Sequence, residues 1–191
     1  MKVNDSGMPE EAYWNSLFDI EGIIDWLGLS DNTTKVVEIG CGYGTFTVPL
    51  AKTTCEEIVT FDIEASMIET AALNCQKAGL SNVTLIERDI LELGTGLESN
   101  STDMVLLFNI LHFSEKSVLL KEAARILKQG GVIAIIHWRK DISTPRGPSI
   151  ETRPDQNQLL KASAGLGLQL HVDSKVLEPY HWGLQLIKSH L

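Results

Sequence analysis

Val36–Gly44 reads VVEIGCGYG. Its first part, within Lys35–Gly40, carries Val, Val and Ile, residue types that suit a pleated and buried strand. It runs without a break into Gly40-Cys41-Gly42-Tyr43-Gly44. Glycines set this closely release the backbone into positive φ and let a ligand approach main-chain atoms. The stretch is therefore read as a first strand ending in a ligand-binding turn. Tyr43–Lys52 is expected to follow as a helix, with Pro49 at a first-turn position or a kink.

Working outward, short β-branched runs alternate with helical spacings. Glu57–Asp62 reads as a second strand, Ala65–Ala78 as a helix stopped at Gly79, and Val83–Arg88 as a third strand. Thr102–Asn109 is apolar enough to be a fourth strand buried on both faces. Lys116–Lys128 is expected as a helix ended by Gln129-Gly130-Gly131, and Val132–Trp138 as the fifth strand. Upstream, Pro9–Phe18 and Asp19–Leu29 have helical spacing. Downstream, Asp141–Arg153 reads as a loop, Asp155–Ala164 as a helix, and Leu168–Leu177 and His181–Lys188 as strands joined by Glu178-Pro179-Tyr180. Strands that alternate with helices make an α/β domain with a mostly parallel sheet covered on both faces. The last two strands have no helix between them and are expected to form an antiparallel hairpin.

The 191 residues suit one domain, and 43% hydrophobic content can build its core. The net charge of −9 speaks against a basic nucleic-acid surface, so no nucleic-acid partner is expected. Cys41, Cys55 and Cys75 show no CxxC spacing, which argues against a disulfide framework or a bound metal. Met1–Trp14 lacks the apolar core of a secretion signal. No apolar run approaches the roughly 20 residues of a membrane span. A cytoplasmic chain without a membrane partner is the expectation.

A doubly wound sheet holds its ligand at the carboxyl ends of its strands. Asp62 closes the second strand there, where a carboxylate accepts hydrogen bonds from both hydroxyls of a ribose; capping the next helix is its structural alternative. Dinucleotide sites prefer G-x-G-x-x-G, whereas here the glycines fall at 40, 42 and 44 and Thr45 follows. Glu38, two residues before the first glycine, is poorly placed beside a pyrophosphate and suits a cationic sulfonium ligand and its amino group.

VVEIGCGYG resembles motif I, E/D-x-G-x-G-x-G, of class I S-adenosylmethionine-dependent methyltransferases. FDIEASMIETA resembles the family's acidic end of strand 2 and the helix after it, and ERDI the end of strand 3. DMVLLFNILHF resembles motif IV, and ILKQGGVIAIIHW the turn and strand 5 beyond. The five occur in family order. The resemblance implies a Rossmann-like three-layer sandwich with a seven-stranded sheet, and a methyltransferase that uses S-adenosylmethionine and releases S-adenosylhomocysteine. It implies that Glu38, Gly40 and Gly42 contact the methionine part of the cofactor, with Gly44 shaping the turn. Asp62 would take the ribose, and Ile63 and Met67 would pack near the adenine, Met67 having helix core as its alternative. Asp89 and the backbone of Ile90 would take the adenine edge, unless Asp89 is only a turn acid. Asn109 would stand at the methionine portion.

Within this single domain, residues 1–34 are expected to form N-terminal helices and a lid, 35–140 the cofactor-binding core, and 141–191 the substrate-side loop, helix and hairpin. Tyr13 and Trp14 are the lid candidates, or else a packed aromatic face. His112 is the candidate general base, with a role at a helix start as its alternative. Arg139 and Arg146 are candidates to hold an anionic group of the acceptor, or else solvated loop residues. Motif IV lacks N/D-P-P-Y/F, which favours a small-molecule acceptor. A protein acceptor, a non-catalytic cofactor-binding module and a nicotinamide-dependent oxidoreductase are the alternatives. A second subunit covering the pocket would make the assembly a homodimer.

Overall fold

The computed structural model describes residues 7–53, 56–112 and 114–189. Seven strands, β1 (Lys35–Ile39), β2 (Glu57–Asp62), β3 (Val83–Glu87), β4 (Thr102–Phe108), β5 (Leu127–Trp138), β6 (Leu168–Leu177) and β7 (His181–Lys188), form one sheet in the order β3-β2-β1-β4-β5-β7-β6. The first five run parallel, and β7 is antiparallel to both β5 and β6. The expected hairpin is present, and its second strand lies inside the first. β7 is buried along most of its length, whereas all of β6 between its two ends is exposed. The apolar strand takes the interior position and the polar strand LQLHVDSKVL takes the edge.

Strand alternation divides the core in two. Val37, Val105, Ile133 and Ile135 face one side, against Leu119, Leu120 and Ala123 of helix α6 (Lys116–Ile126). Val36, Ile58, Leu106 and Ile136 face the other, with Ile23 and Leu27 of α2 (Ile20–Leu27) and Leu50 of α3 (Thr47–Ala51). The remaining helices are α1 (Glu11–Asn15), α4 (Ala65–Lys77), α5 (Ile90–Leu93) and α7 (Gln156–Ala164). The four residues of α5 are too few to show a period, and they went unread in the sequence.

Several boundaries differ from expectation, and the helix expected over Pro9–Phe18 is confined to Glu11–Asn15. The helix expected over Lys116–Lys128 stops at Ile126, because Leu127 adopts extended geometry (φ −71°, ψ 133°) and pairs with Thr102. Gln129-Gly130-Gly131 therefore lies inside β5, where the register to β4 shifts. The helix expected from Tyr43 begins at Thr47, and Pro49 sits at its third residue, where no intrahelical N–H bond is lost. Cys41 and Cys75 are free and buried; Cys55 and the segment 1–6 lie outside the described residues. Among the described residues no helix is long and apolar enough to cross a membrane.

Candidate active site

The strand order reverses between β1 and β4, the topological switch point at which such sheets place their ligands. There the glycine turn is pinned to β2, since Phe61 O accepts from the N–H groups of Gly40 (2.7 Å) and Cys41 (3.1 Å). Gly40 and Gly42 lie at φ +84° and +52°. A Cβ on Gly40 would stand 2.8 Å from Ile110 Cγ2, and one on Gly42 would stand 3.1 Å from Met8 Cε. The turn is a cradle that only glycine leaves open. Gly44 (φ +79°) faces Ala71 of α4 and shapes the turn from behind.

The turn borders a cavity of about 510 Å³, within the size range of small-molecule sites. Gly40, Gly42, Asp62, Ile63, Met67, Asp89, Ile90, Asn109 and His112 all line it, as the sequence expected of a shared site. Asp62 Oδ2 accepts from Gly42 N–H (2.9 Å) and Oδ1 from Glu64 N–H (3.0 Å). The carboxylate braces the turn and still faces the cavity. Burial raises its pKa, and these hydrogen bonds oppose the rise. Asp89 caps α5 through Oδ1, which accepts from Leu91 (2.9 Å) and Glu92 (3.3 Å). Its two roles, turn acid and cavity wall, coexist.

Asn109 ends β4 at φ +57°, a left-handed geometry that Asn tolerates better than most side chains. Its backbone N–H donates to Ile136 O (2.8 Å). Both polar atoms of its side-chain amide are buried and lack a hydrogen-bond partner among the described residues. Leaving such groups unmet is costly, so the amide is set for a ligand. His112 lines the cavity, and burial lowers its pKa, which keeps the ring neutral near pH 7. His137 lies behind it, the ring centroids 5.9 Å apart, fully buried and away from the cavity.

Glu38, Tyr13 and Arg139 are not brought to the cavity, and Gly44 shapes the turn without lining it. Glu38 shares the sheet face of Val36, so strand alternation turns it beneath the turn rather than into the cavity. It is 1% exposed, its Oε2 accepts from the hydroxyls of Thr47 and Thr60, and burial raises its pKa to about 7. Gly44 supports the turn from outside, as above. Tyr13 projects to solvent at 41% exposure, because α1 turns its neighbour Trp14 inward. Arg139 is held by Asp141 through Nε (3.0 Å) and Nη2 (2.7 Å), with Glu178 3.9 Å away.

The cavity has two ends. Asp62, Glu64 and Asp89 make its acidic end. Trp14, Phe46, Phe108 and Trp138 make an aromatic end; Phe46 meets Phe108 edge-on at 4.9 Å, and Trp14 meets Trp138 at 6.3 Å. The strap Gly7-Met8-Pro9 also lines the cavity. Tyr43 Oη donates to Pro9 O (2.6 Å), and Arg146 Nη2 donates to Gly7 O (2.5 Å). Thr45 Oγ1 adds a tie to Asn15 Oδ1 (2.7 Å). The strap, Phe46 and Phe108 were missed in the sequence. Phe108 closes β4 and was findable there, Phe46 stands at the N-cap of α3 just past the glycine turn, and the strap has no periodicity to signal it. Arg153 was missed as well. It is 6% exposed and gathers the 139–153 loop, donating to Pro148 O (3.0 Å), Thr144 Oγ1 (2.7 Å) and Arg139 O.

Residues 30–167 match the family model described as "Methyltransferase domain". The demethylmenaquinone methyltransferase of Staphylococcus aureus is 32% identical over 106 residues, which are 54% of this chain and 42% of that protein. The chain thus aligns with less than half the length of that relative. A SAM-dependent methyltransferase from Aquifex aeolicus superposes with a TM-score of 0.79 at 23% identity, over 94% of each chain. The [4+2]-cyclase SpnF superposes with a TM-score of 0.72 at 16% identity, over 98% of this chain and 85% of its own. These two likenesses bear on the fold alone, and they show that one architecture carries more than one chemistry.

Proposed function

The chain belongs to the methyltransferase-domain family, and we propose that it uses S-adenosylmethionine to methylate a small molecule taken up at the aromatic end of its cavity. The residues present fit the cofactor. The Gly40–Gly42 cradle admits a chain that any Cβ would exclude, and the buried Asn109 amide lacks a partner. When bound, the cofactor supplies a methyl carbon on a positively charged sulfur, and the electron pair of the broken C–S bond stays with sulfur in S-adenosylhomocysteine.

On this reading residues 35–140 carry the cofactor, and the described residues on either side of that segment shape the acceptor site. Asp62 would hold the ribose, and Asp89 with Ile90 the adenine edge. Trp14, Trp138 and the strap would exclude water and set the acceptor atom in line with the methyl carbon. Such orientation is worth roughly 7–11 kcal/mol in favourable cases. Where the acceptor atom carries a proton, neutral His112 would take it as the new bond forms.

The observation that carries the small-acceptor reading is the strap Gly7-Met8-Pro9 along the cavity wall. The strap is tied on one side to the glycine turn and on the other to the 139–153 loop, and its three residues join the wall of a cavity of about 510 Å³, a size that suits a small molecule. The staphylococcal relative is named for a small acceptor as well.

The test uses methyl-labelled S-adenosylmethionine with a cell extract separated into low-molecular-mass and protein fractions. Label is expected in the low-molecular-mass fraction and to depend on the enzyme. Label confined to protein would refute the small-acceptor reading. Calorimetry with S-adenosylhomocysteine separately checks the cofactor.

A further inference from the structure

The chain carries a formal charge of −9, yet an arginine stands beside the aromatic end of its cavity; the other arginine of the lining, Arg88, donates to Gly94 O (2.6 Å) and Leu93 O (3.2 Å) near the acidic end. The acids lining the cavity, Asp62, Glu64 and Asp89, all stand near the ends of β2 and β3. The opposite wall, at the ends of β4 and β5, holds Arg146. Among the described residues Arg146 pairs with no carboxylate; its partner is the carbonyl of Gly7. Arg139, the other arginine of this loop near the strand end, is already neutralised by Asp141.

Arg153 adds to the asymmetry. It is buried and bonded to loop carbonyls and a hydroxyl rather than to an acid. Burial holds the rings of His137 and His181 below their ordinary range, and the charge of Arg153 adds a smaller push in the same direction. The same residue sets the loop's course beside Trp138. Gly147 lies so near that ring that a Cβ on it would stand 2.9 Å away, and φ +111° there favours glycine. Arg146 is thereby held next to an aromatic wall. A guanidinium at the edge of an apolar cavity, with most of its donors unused, suits a planar anion.

Resting on the reading that this end of the cavity receives the acceptor, we propose that the acceptor is an aromatic carboxylate, its ring against Trp14 and Trp138 and its carboxylate on Arg146.

The test is calorimetry on protein saturated with S-adenosylhomocysteine, with two probes that differ in one group: 1-hydroxy-2-naphthoate and 1-naphthol. The naphthoate is expected to bind about ten- to a hundred-fold more tightly, the worth of a hydrogen bond to a charged group. Arg146→Gln should remove that preference, leaving 1-naphthol and S-adenosylhomocysteine affinities within about two-fold of wild type; Arg146→Lys should restore part of it. An unchanged 1-naphthol affinity also shows that the strap survives loss of its tie to Arg146. Equal affinities of wild type for the two probes would overturn the proposal, as would binding of neither. A loss of S-adenosylhomocysteine affinity in Arg146→Gln as large as the loss for naphthoate would also overturn it, placing the cofactor's own carboxylate on Arg146. Failure of wild type to bind S-adenosylhomocysteine is a different result, which removes the methyltransferase reading itself.

Discussion

Replacing Glu38 by Gln should stabilise the protein at neutral and alkaline pH and change little in acid. Glu38 is 1% exposed, and burial raises its pKa from 4.5 to about 7 although Thr47 and Thr60 donate to it. Below about pH 4.5 the folded and unfolded chains both carry the proton, and the group contributes its full relative stability. As the pH rises toward 7 the unfolded chain ionises first, and this stability is lost. Above the folded pKa both states are ionised and the loss is complete. A rise of about 2.5 pH units, at about 1.4 kcal/mol each, makes the loss about 3 kcal/mol. Gln keeps an acceptor for the two hydroxyls and never ionises. Urea unfolding of both proteins at pH 4.5, 6, 7 and 8 measures the difference. The stability of Glu38→Gln minus that of wild type should climb by about 3 kcal/mol across the series. A flat difference would show that Glu38 titrates as an ordinary carboxylate and would refute the reasoning. A second consequence concerns the cofactor. A sulfonium above the turn favours ionised Glu38, so wild type should prefer S-adenosylmethionine over S-adenosylhomocysteine more strongly at pH 8 than at pH 6. In Glu38→Gln that pH dependence should vanish.

Three further outcomes follow from single residues. Asp62→Ala should weaken S-adenosylmethionine and S-adenosylhomocysteine by equal factors, about ten-fold or more, because both carry the ribose; calorimetry that found a loss for one ligand alone would contradict the ribose assignment. Asn109→Gly relieves a left-handed side-chain position while adding backbone entropy, effects of about 1 kcal/mol that oppose each other. Stability should thus stay near wild type while S-adenosylhomocysteine affinity falls about ten-fold, and an unchanged affinity would return Asn109 to a purely conformational role. Glu122 accepts from Arg125 and Thr95, interactions that lower its pKa to about 2. This stability is present above the ordinary pKa and is lost as the pH falls through 2, so Glu122→Gln should cost about 1–2 kcal/mol at pH 7 after allowing for the half-exposed Arg125. The cost should shrink on approach to pH 2, and equal losses in urea melts at pH 7 and 2.5 would count against it.

The cofactor half of the site was legible because periodic elements deliver it. A parallel strand must end at the carboxyl edge of its sheet, so Asp62 and Asn109, read as strand-final residues, reached the cavity with the glycine turn. Glu38 follows a second rule, the alternation of side chains along a strand. It sits two residues after Val36 and so shares that residue's face, which packs on α3. Its place beneath the turn was readable from that alternation. The order of the last two strands was readable too, since WGLQLI is more apolar than LHVDSKV and the interior position goes to the strand that can be buried on both faces.

The acceptor half lies on segments with no period. Arg139 and Arg146 are the same residue type seven positions apart in one loop, and nothing local separates them. What separates them is Asp141, which claims Arg139, and Arg153, which ties the loop through its carbonyls and holds Arg146 beside the cavity. Both effects are side-chain contacts set by the folded path of the loop. A sequence of this kind therefore names its methyl donor through its strands and keeps its acceptor in its loops. The chemistry of the acceptor has to be read from charges left without a counter-charge after folding, and among the described residues at the aromatic end of the cavity that charge is Arg146.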